Sequence, residues 1–389
     1  MNYGPFLENY KIFSSGNETP ELCHIWCAIS TLAGAVEKRL WIDRDYFRIY
    51  LNLYILLIGP PGVIAKSTSM GLGLKMLKET GYNVLEDSVL KERIIEEMCA
   101  FEKDFVSPDG EPFRHASMTF VADELNSLLA SGVDMVKFLV AMFNKDETYF
   151  YKTKNSGVYE INYPHFNLMA AAVDKWFGAA IANDMTATGF LARCITVYED
   201  KKRGKFPHPK LKPHQEAARS KCIDALFAIS QLYGKINMTD EADKFYNVWY
   251  EKQDISPAED YRMAGYLERR TKVHVLKVAA LLAASALRMA IGIDDIKRSI
   301  AIFAETEKKM RLAFLVAGAN KLAVFIPRIL AIVNENDGVV PLRDVVAAVH
   351  TDLDPDQFKS VLKTMESMEM VASKSVEGKT HLIAWRKVK

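Results

Sequence analysis

The stretch from residue 53 to residue 68 limits most strongly what this chain can fold into. Residues 53–58 read Leu-Tyr-Ile-Leu-Leu-Ile, an apolar run whose length suits a buried strand and falls short of a helix. Gly59-Pro60-Pro61-Gly62 then breaks the extended backbone. Lys66-Ser67-Thr68 opens a helical pattern continued by Met70, Leu72, Leu74 and Leu77. Strand, glycine-containing turn, Lys-Ser/Thr and helix together form the layout of a phosphate-binding loop. In such a loop, backbone N–H groups and the helix N-terminus face the phosphates. Gly59, Pro60, Pro61 and Gly62 would shape the loop, Lys66 would reach the β/γ-phosphates, and the Ser67 hydroxyl would ligate Mg²⁺, with Thr68 beside it.

The spacing departs from G-x-x-x-x-G-K-[ST]. Gly59 and Lys66 stand one residue further apart, and Ala65 occupies the position of the glycine before the lysine. That glycine often takes a backbone conformation costly for a residue with a Cβ. Two outcomes stay open: the loop folds differently around the extra residue, or nucleotide binding is weakened or lost.

Downstream, Met118-Thr-Phe-Val-Ala-Asp123-Glu124 is a second short apolar strand ending in paired acids. Behind a phosphate-binding loop, such a strand brings Asp123 towards the Mg²⁺ shell and leaves Glu124 to polarise an attacking water. Residues 148–161 form two β-rich arms around Asn155-Ser156-Gly157, a hairpin signal with Lys152 and Lys154 near its tip. Residues 166–173 and 194–198 are third and fourth strand candidates, and Arg193 stands just ahead of the last. Strands alternating with helical patterns, including one expected over 91–105, predict an α/β sheet covered by helices.

Around this core, residues 1–50 read as a helical collar, opened by Thr19-Pro20-Glu21 as a helix start. From 201 to 214 the chain holds six basic residues, three prolines and no acid, the composition of a linker or extended loop. Residues 215–320 read as helical. Three helical patterns and a hairpin with a Glu377-Gly378 turn follow in 321–389, the element order of a winged-helix module. The expected division is therefore 1–50 collar, 51–200 core, 201–320 helical lid and 321–389 winged helix.

Composition narrows the partners. The net charge of +1 over 389 residues gives no global pull towards polyanions, so any such site must come from local clustering. Five cysteines, among them Cys23 and Cys27 at helical spacing without a second pair, suit reduced thiols and a cytoplasmic protein. No apolar run reaches membrane-spanning length, so no membrane partner is expected.

The motifs in their order resemble phage and prophage proteins of the DNA primase/helicase type, helicase part only, which stand near the AAA+ ATPases, superfamily 3 and minichromosome maintenance helicases. The likeness covers about residues 20–314. It rests on Pro20-Glu21-Leu22-Cys-His-Ile-Trp26, the 52–62 run, Lys66-Ser-Thr68, Ala122-Asp-Glu-Leu125, Tyr151-Lys-Thr-Lys154 and Gly189-Phe-Leu-Ala-Arg193. It implies an AAA+-type core that binds ATP and Mg²⁺, and a ring, commonly a hexamer, on single-stranded or forked DNA, with replication proteins as further partners. Arg193 matches an arginine finger acting on a neighbour's γ-phosphate, and Lys152 and Lys154 match the pre-sensor-1 hairpin. Arg269 or Arg270 would supply sensor 2. The sensor 1 position holds Val173-Asp174, without the Asn, Ser or Thr of the pattern, and residues 1–50 are too few for a primase domain. A replicative helicase in a host cytoplasm is the first reading, and a helicase loader or DNA-bound scaffold with weak hydrolysis the second.

Overall fold

A computed structural model describes residues 4–86, 90–107, 110–153, 157–174, 176–177, 189–253, 261–318, 325–368, 370–376 and 379–385. The chain divides into two compact units, Met1–Ala317 and Gly318–Lys389.

The first unit is built on a mixed α/β architecture with a parallel sheet. Its strands are β3 (Tyr54–Ile58), β4 (Val84–Glu86), β6 (Pro112–Ala122), β9 (His165–Ala172) and β10 (Cys194–Tyr198), in spatial order β10-β3-β9-β6-β4. All four pairings along this path are parallel. Strands β3, β9 and β10 are buried along their whole length, as a parallel sheet covered on both faces requires. Alternation assigns Ile55, Leu57, Met169 and Val197 to one face and Tyr54, Leu56, Phe120 and Leu168 to the other.

On the first face lie α2 (Glu21–Val36), α3 (Lys66–Glu79), α8 (Pro213–Ile229) and α11 (Val275–Ser285). The helix α2, expected as part of a collar, is buried on every side beyond its first residue. Two of its polar positions are absorbed internally: the Asn167 side-chain amide donates to the Ser30 carbonyl at 3.1 Å, and Thr31 Oγ1 donates to the Cys27 carbonyl at 2.8 Å. On the second face lie α4 (Lys91–Ala100) and α6 (Val133–Phe143).

The helix expected over 91–105 ends at Ala100. Glu102–Val106 is instead β5, antiparallel to the first half of β6. The eleven residues of β6 overhang the parallel strands, and the overhang supplies the pairing that turns this segment into a strand. Residues 149–161 form a separate hairpin, β7 (Tyr149–Thr153) and β8 (Gly157–Ile161), with Tyr151 opposite Tyr159 and Lys152 opposite Val158. None of the described helices is long and apolar enough to cross a membrane.

The second unit has its own core, centred on Ile329, Val345, Val361, Met365, Val371 and Leu382. Its helices are α13 (Phe325–Glu335), α14 (Leu342–Val349) and α15 (Pro355–Ser367). An antiparallel sheet of β14 (Val339–Pro341), β16 (Lys379–Ala384) and β15 (Val371–Val376), in that spatial order, completes it. The expected turn residues Glu377 and Gly378 lie outside the described residues.

Candidate functional site

The parallel order sends the C-terminal ends of β3, β9 and β6 to one edge of the sheet, where open α/β sheets bind ligands. The loop 59–65 leaves β3 there and delivers Lys66 as the first residue of α3. One neighbour removed, β6 delivers Asp123 and Glu124, both exposed. Strand β9 lies between them and ends at Ala172, two residues before Asp174. Ser67, Asp123 and Glu124 line one cleft of about 190 Å³ with Gly71, Glu86 and Val121. Thr68 is exposed on the first turn of α3 and is not part of that lining.

The lengthened loop has a definite geometry. A Cβ on Gly59 would stand 2.2 Å from the Glu199 carbonyl oxygen and 2.7 Å from Ile64 Cδ1, so this position admits no side chain. Gly62 turns the chain at φ +70°. Pro60 and Pro61 carry the turn between these glycines, and Ile64 is buried beneath it. Ala65 takes φ +43°, ψ +48°, the left-handed conformation that a Cβ makes unfavourable by about 1–2 kcal/mol. Thr19 Oγ1 donates to the Ala65 carbonyl at 3.1 Å and helps hold it.

Lys66 Nζ donates to the Gly59 carbonyl at 2.8 Å and reaches the Pro60 carbonyl at 3.5 Å. Burial holds its pKa below the ordinary lysine value, opposed by Cys23 and by the negative charge of Asp174. Glu124 accepts from Ser127 Oγ at 3.2 Å. Among the described residues no group of three or more His, Cys, Asp or Glu is placed to hold a metal ion. A Mg²⁺ bound beside phosphates needs only one or two protein ligands, and Ser67 with Asp123 is a donor set of that size.

Two further charged groups border this edge, and neither stands out in the sequence. Glu199 follows β10, its N–H donating to the Ile58 carbonyl at 3.0 Å. Its side chain is buried, which raises its pKa, and it accepts from Lys309 Nζ of α12 (Ile293–Gly318) at 2.5 Å. Only sheet order and helix packing bring Glu199 and Lys309 to the edge that carries Lys66, so no local spacing signals them.

The remaining expected site residues lie elsewhere. Arg193 ends the short helix α7 (Phe190–Arg193) just before β10, and Cys194 pairs with Tyr54 at the start of β3. Arg193 is therefore at the N-terminal edge of the sheet, about 15 Å of strand away from Gly59. It donates to the Gly189 carbonyl at 2.8 Å, while its buried Nε has no partner among the described residues.

Arg269 ends α10 (Tyr261–Arg269) on that same side. Its pKa is pushed down to about 10 by burial and by the neighbouring charge of Arg193. A cavity of about 700 Å³ opens there, lined by Arg48, Phe143, Asp146, Ala192, Arg269 and Lys272 among others. Arg270 instead donates to Glu307 and to Gln253, both at 3.1 Å. These are the positions of the two arginines expected to supply sensor 2. Arg269 shares the far edge with Arg193, and Arg270 is held within the helical region.

Lys152 is exposed on the hairpin, beside Phe150 and Val158, each 58% exposed. The opposite hairpin face is tied to α4, with the Tyr151 hydroxyl donating to Glu92 at 2.9 Å and the Tyr159 hydroxyl to Glu96 at 3.2 Å. Lys154 lies outside the described residues. No protein-family model matches the chain, and a search of curated proteins gives no match.

Proposed function

We propose that this chain is an ATP-dependent motor of the AAA+ type that assembles into a ring, commonly a hexamer, and acts on DNA as the helicase of a phage or mobile element. One observation carries the reading. Lys66, Ser67, Asp123 and Glu124 gather at one edge of a parallel sheet, while Arg193 and Arg269 gather at the other. A single chain cannot bring the two groups together. In a head-to-tail assembly, the heterologous arrangement that closes into rings, the arginines of one copy meet the nucleotide edge of the next.

In that site Lys66 would exchange the Gly59 carbonyl for the β/γ-phosphates, and Ser67 and Asp123 would hold Mg²⁺, which would shield the phosphate charge. Glu124 orients the attacking water. Arg193 neutralises the charge that develops on the transferred phosphoryl group, an effect worth about 10³–10⁵ in rate where an arginine finger acts. Arg269 is assigned beside Arg193 in the neighbour's site, and Arg270 receives no nucleotide role. The exposed hairpin face with Lys152 contacts the DNA strand, Lys154 being its expected companion. The C-terminal unit is assigned as a winged helix with α15 as its presenting helix, in contact with DNA or replication proteins. A cytoplasmic location accords with the unpaired cysteines.

A second reading is favoured by the loop itself. Ala65 in a left-handed conformation, Ile64 packed beneath the turn and Asp174 at the sensor 1 position all suit a helicase loader or scaffold that hydrolyses ATP weakly.

A mixing experiment separates the two readings. Lys66→Ala and Arg193→Ala proteins are each inactive as ATPases under the motor reading. Mixed one to one, they recover roughly a quarter of wild-type activity, because a fraction of interfaces regains an intact lysine and an intact arginine. Absence of recovery, with ATP·Mg²⁺ still bound by the wild type in calorimetry, rejects the shared site and leaves the loader reading.

A further inference from the structure

The basic loop 201–214 has no part in the nucleotide site, yet it leaves the sheet beside it. It follows Tyr198 and Glu199 at the edge that carries the 59–65 loop. It contains Lys201, Lys202, Arg203, Lys205, Lys210 and Lys212 and no acid, within a chain whose total net charge is +1. All six cations are exposed.

The loop is anchored at one place. Arg203 N–H donates to the Glu18 carbonyl at 2.9 Å, Phe206 N–H donates to the Glu18 carboxylate at 3.0 Å, and Lys202 pairs with the same carboxylate. Among the described residues no carboxylate pairs with Lys201, Arg203, Lys205, Lys210 or Lys212. Pro207, Pro209 and Pro213 stiffen the segment, which lowers the conformational entropy lost on binding. Beside it a cleft of about 570 Å³ is lined by Lys11, Arg203, His214 and Lys221, with Glu8 also in the lining. Phe206 is 37% exposed, and His208 and His214 are exposed as well.

We infer that this loop and its cleft form a second contact for single-stranded nucleic acid, separate from the hairpin with Lys152. Exposed cations distributed along an anchored, proline-containing loop match a string of phosphates, and the interleaved Phe206, His208 and His214 offer ring faces to unstacked bases. A compact acidic protein patch would make no use of the exposed rings. The inference rests on the proposed action on nucleic acid and adds to it where the strand runs: past the outlet of the nucleotide edge.

The test uses the full chain and a fluorescein-labelled oligothymidylate in a salt series read by anisotropy, with Arg203, Lys205, Lys210 and Lys212 all changed to Gln. Binding of an ATP analogue is expected to stay unchanged. Affinity for the strand falls at least tenfold near 0.1 M salt, and the slope of log K against log[salt] falls by about 3, the share of four cations on a single strand. An unchanged slope overturns the inference. If Lys152→Ala weakens binding while the loop variant does not, the nucleic-acid reading stands and the second contact is rejected. Polyglutamate displacing the oligonucleotide as well as an unlabelled strand does, and losing that ability in the loop variant, also rejects it in favour of an acidic protein partner.

Discussion

Ala65 concentrates the strain of the 59–65 loop, and its replacement reads out what that strain is for. At φ +43° a Cβ is unfavourable, so Ala65→Gly is expected to stabilise the protein by about 1 kcal/mol. The corresponding rise in melting temperature is about 2 °C for a unit of this size. Calorimetry on the same variant shows whether ATP affinity rises with it, as it must if the left-handed turn belongs to phosphate binding. Gly59 is the opposite case. Gly59→Ala drives a Cβ into the Glu199 carbonyl and Ile64, a backbone clash expected to destabilise by about 1–3 kcal/mol in urea unfolding. The need for special geometry at both positions was legible in the sequence. The partner that makes Gly59 irreplaceable was not, because Glu199 lies on another strand.

Among the elements, α15 has the most local instructions. Asp354 accepts from the N–H groups of Asp356 at 3.0 Å and Gln357 at 2.9 Å, Gln357 Oε1 accepts from Asp354 N–H at 3.1 Å, and Pro355 starts the helix. Asp354→Ala removes the acceptor from both N–H groups and is expected to lower the stability of the C-terminal unit by about 1 kcal/mol, measured as an earlier transition in denaturant. Such self-contained signals explain why β3, β9, β10, the 149–161 hairpin and α15 could be read from the chain. The helix expected over 91–105 overran into Glu102–Val106, where the overhang of β6 supplies a strand pairing that the local pattern does not announce. The helix α2 was legible as a helix, but its burial on every side, His24, Ser30 and Thr31 included, depends on α3, α8 and α11 packing around it and has no local signal. The company that Arg269 keeps with Arg193 was hidden, because the two meet only after β10 and α10 have packed.

Across the whole molecule, buried histidines set the response to acid, and Glu37, 3.9 Å from His115, compensates that one only in part. His24, His115, His165 and His274 are all buried. Burial pushes His24 and His274 down to about 3 and His115 to about 4, and holds His165 well below its ordinary value. Neither ring nitrogen of His24 has a hydrogen-bond partner among the described residues. In the unfolded chain each histidine takes up a proton near pH 6.5. The unfolded state therefore binds more protons between about pH 6.5 and 4, and stability falls as pH falls through that window. Each histidine contributes about 1.4 kcal/mol per pH unit there, and four acting together reach about 5 kcal/mol per unit, comparable with the whole stability of a domain. Burial likewise keeps Lys277 well below the usual lysine value, which adds a slope of the same sign at pH values above its folded pKa. The first unit is accordingly expected to lose its cooperative fold between pH 6 and pH 5 at ordinary temperature, followed by circular dichroism. His24→Leu should reduce the slope of unfolding free energy against pH by about a quarter; a slope that is flat from pH 7 to pH 5 in the parent protein would show that these histidines gain protons without unfolding the core.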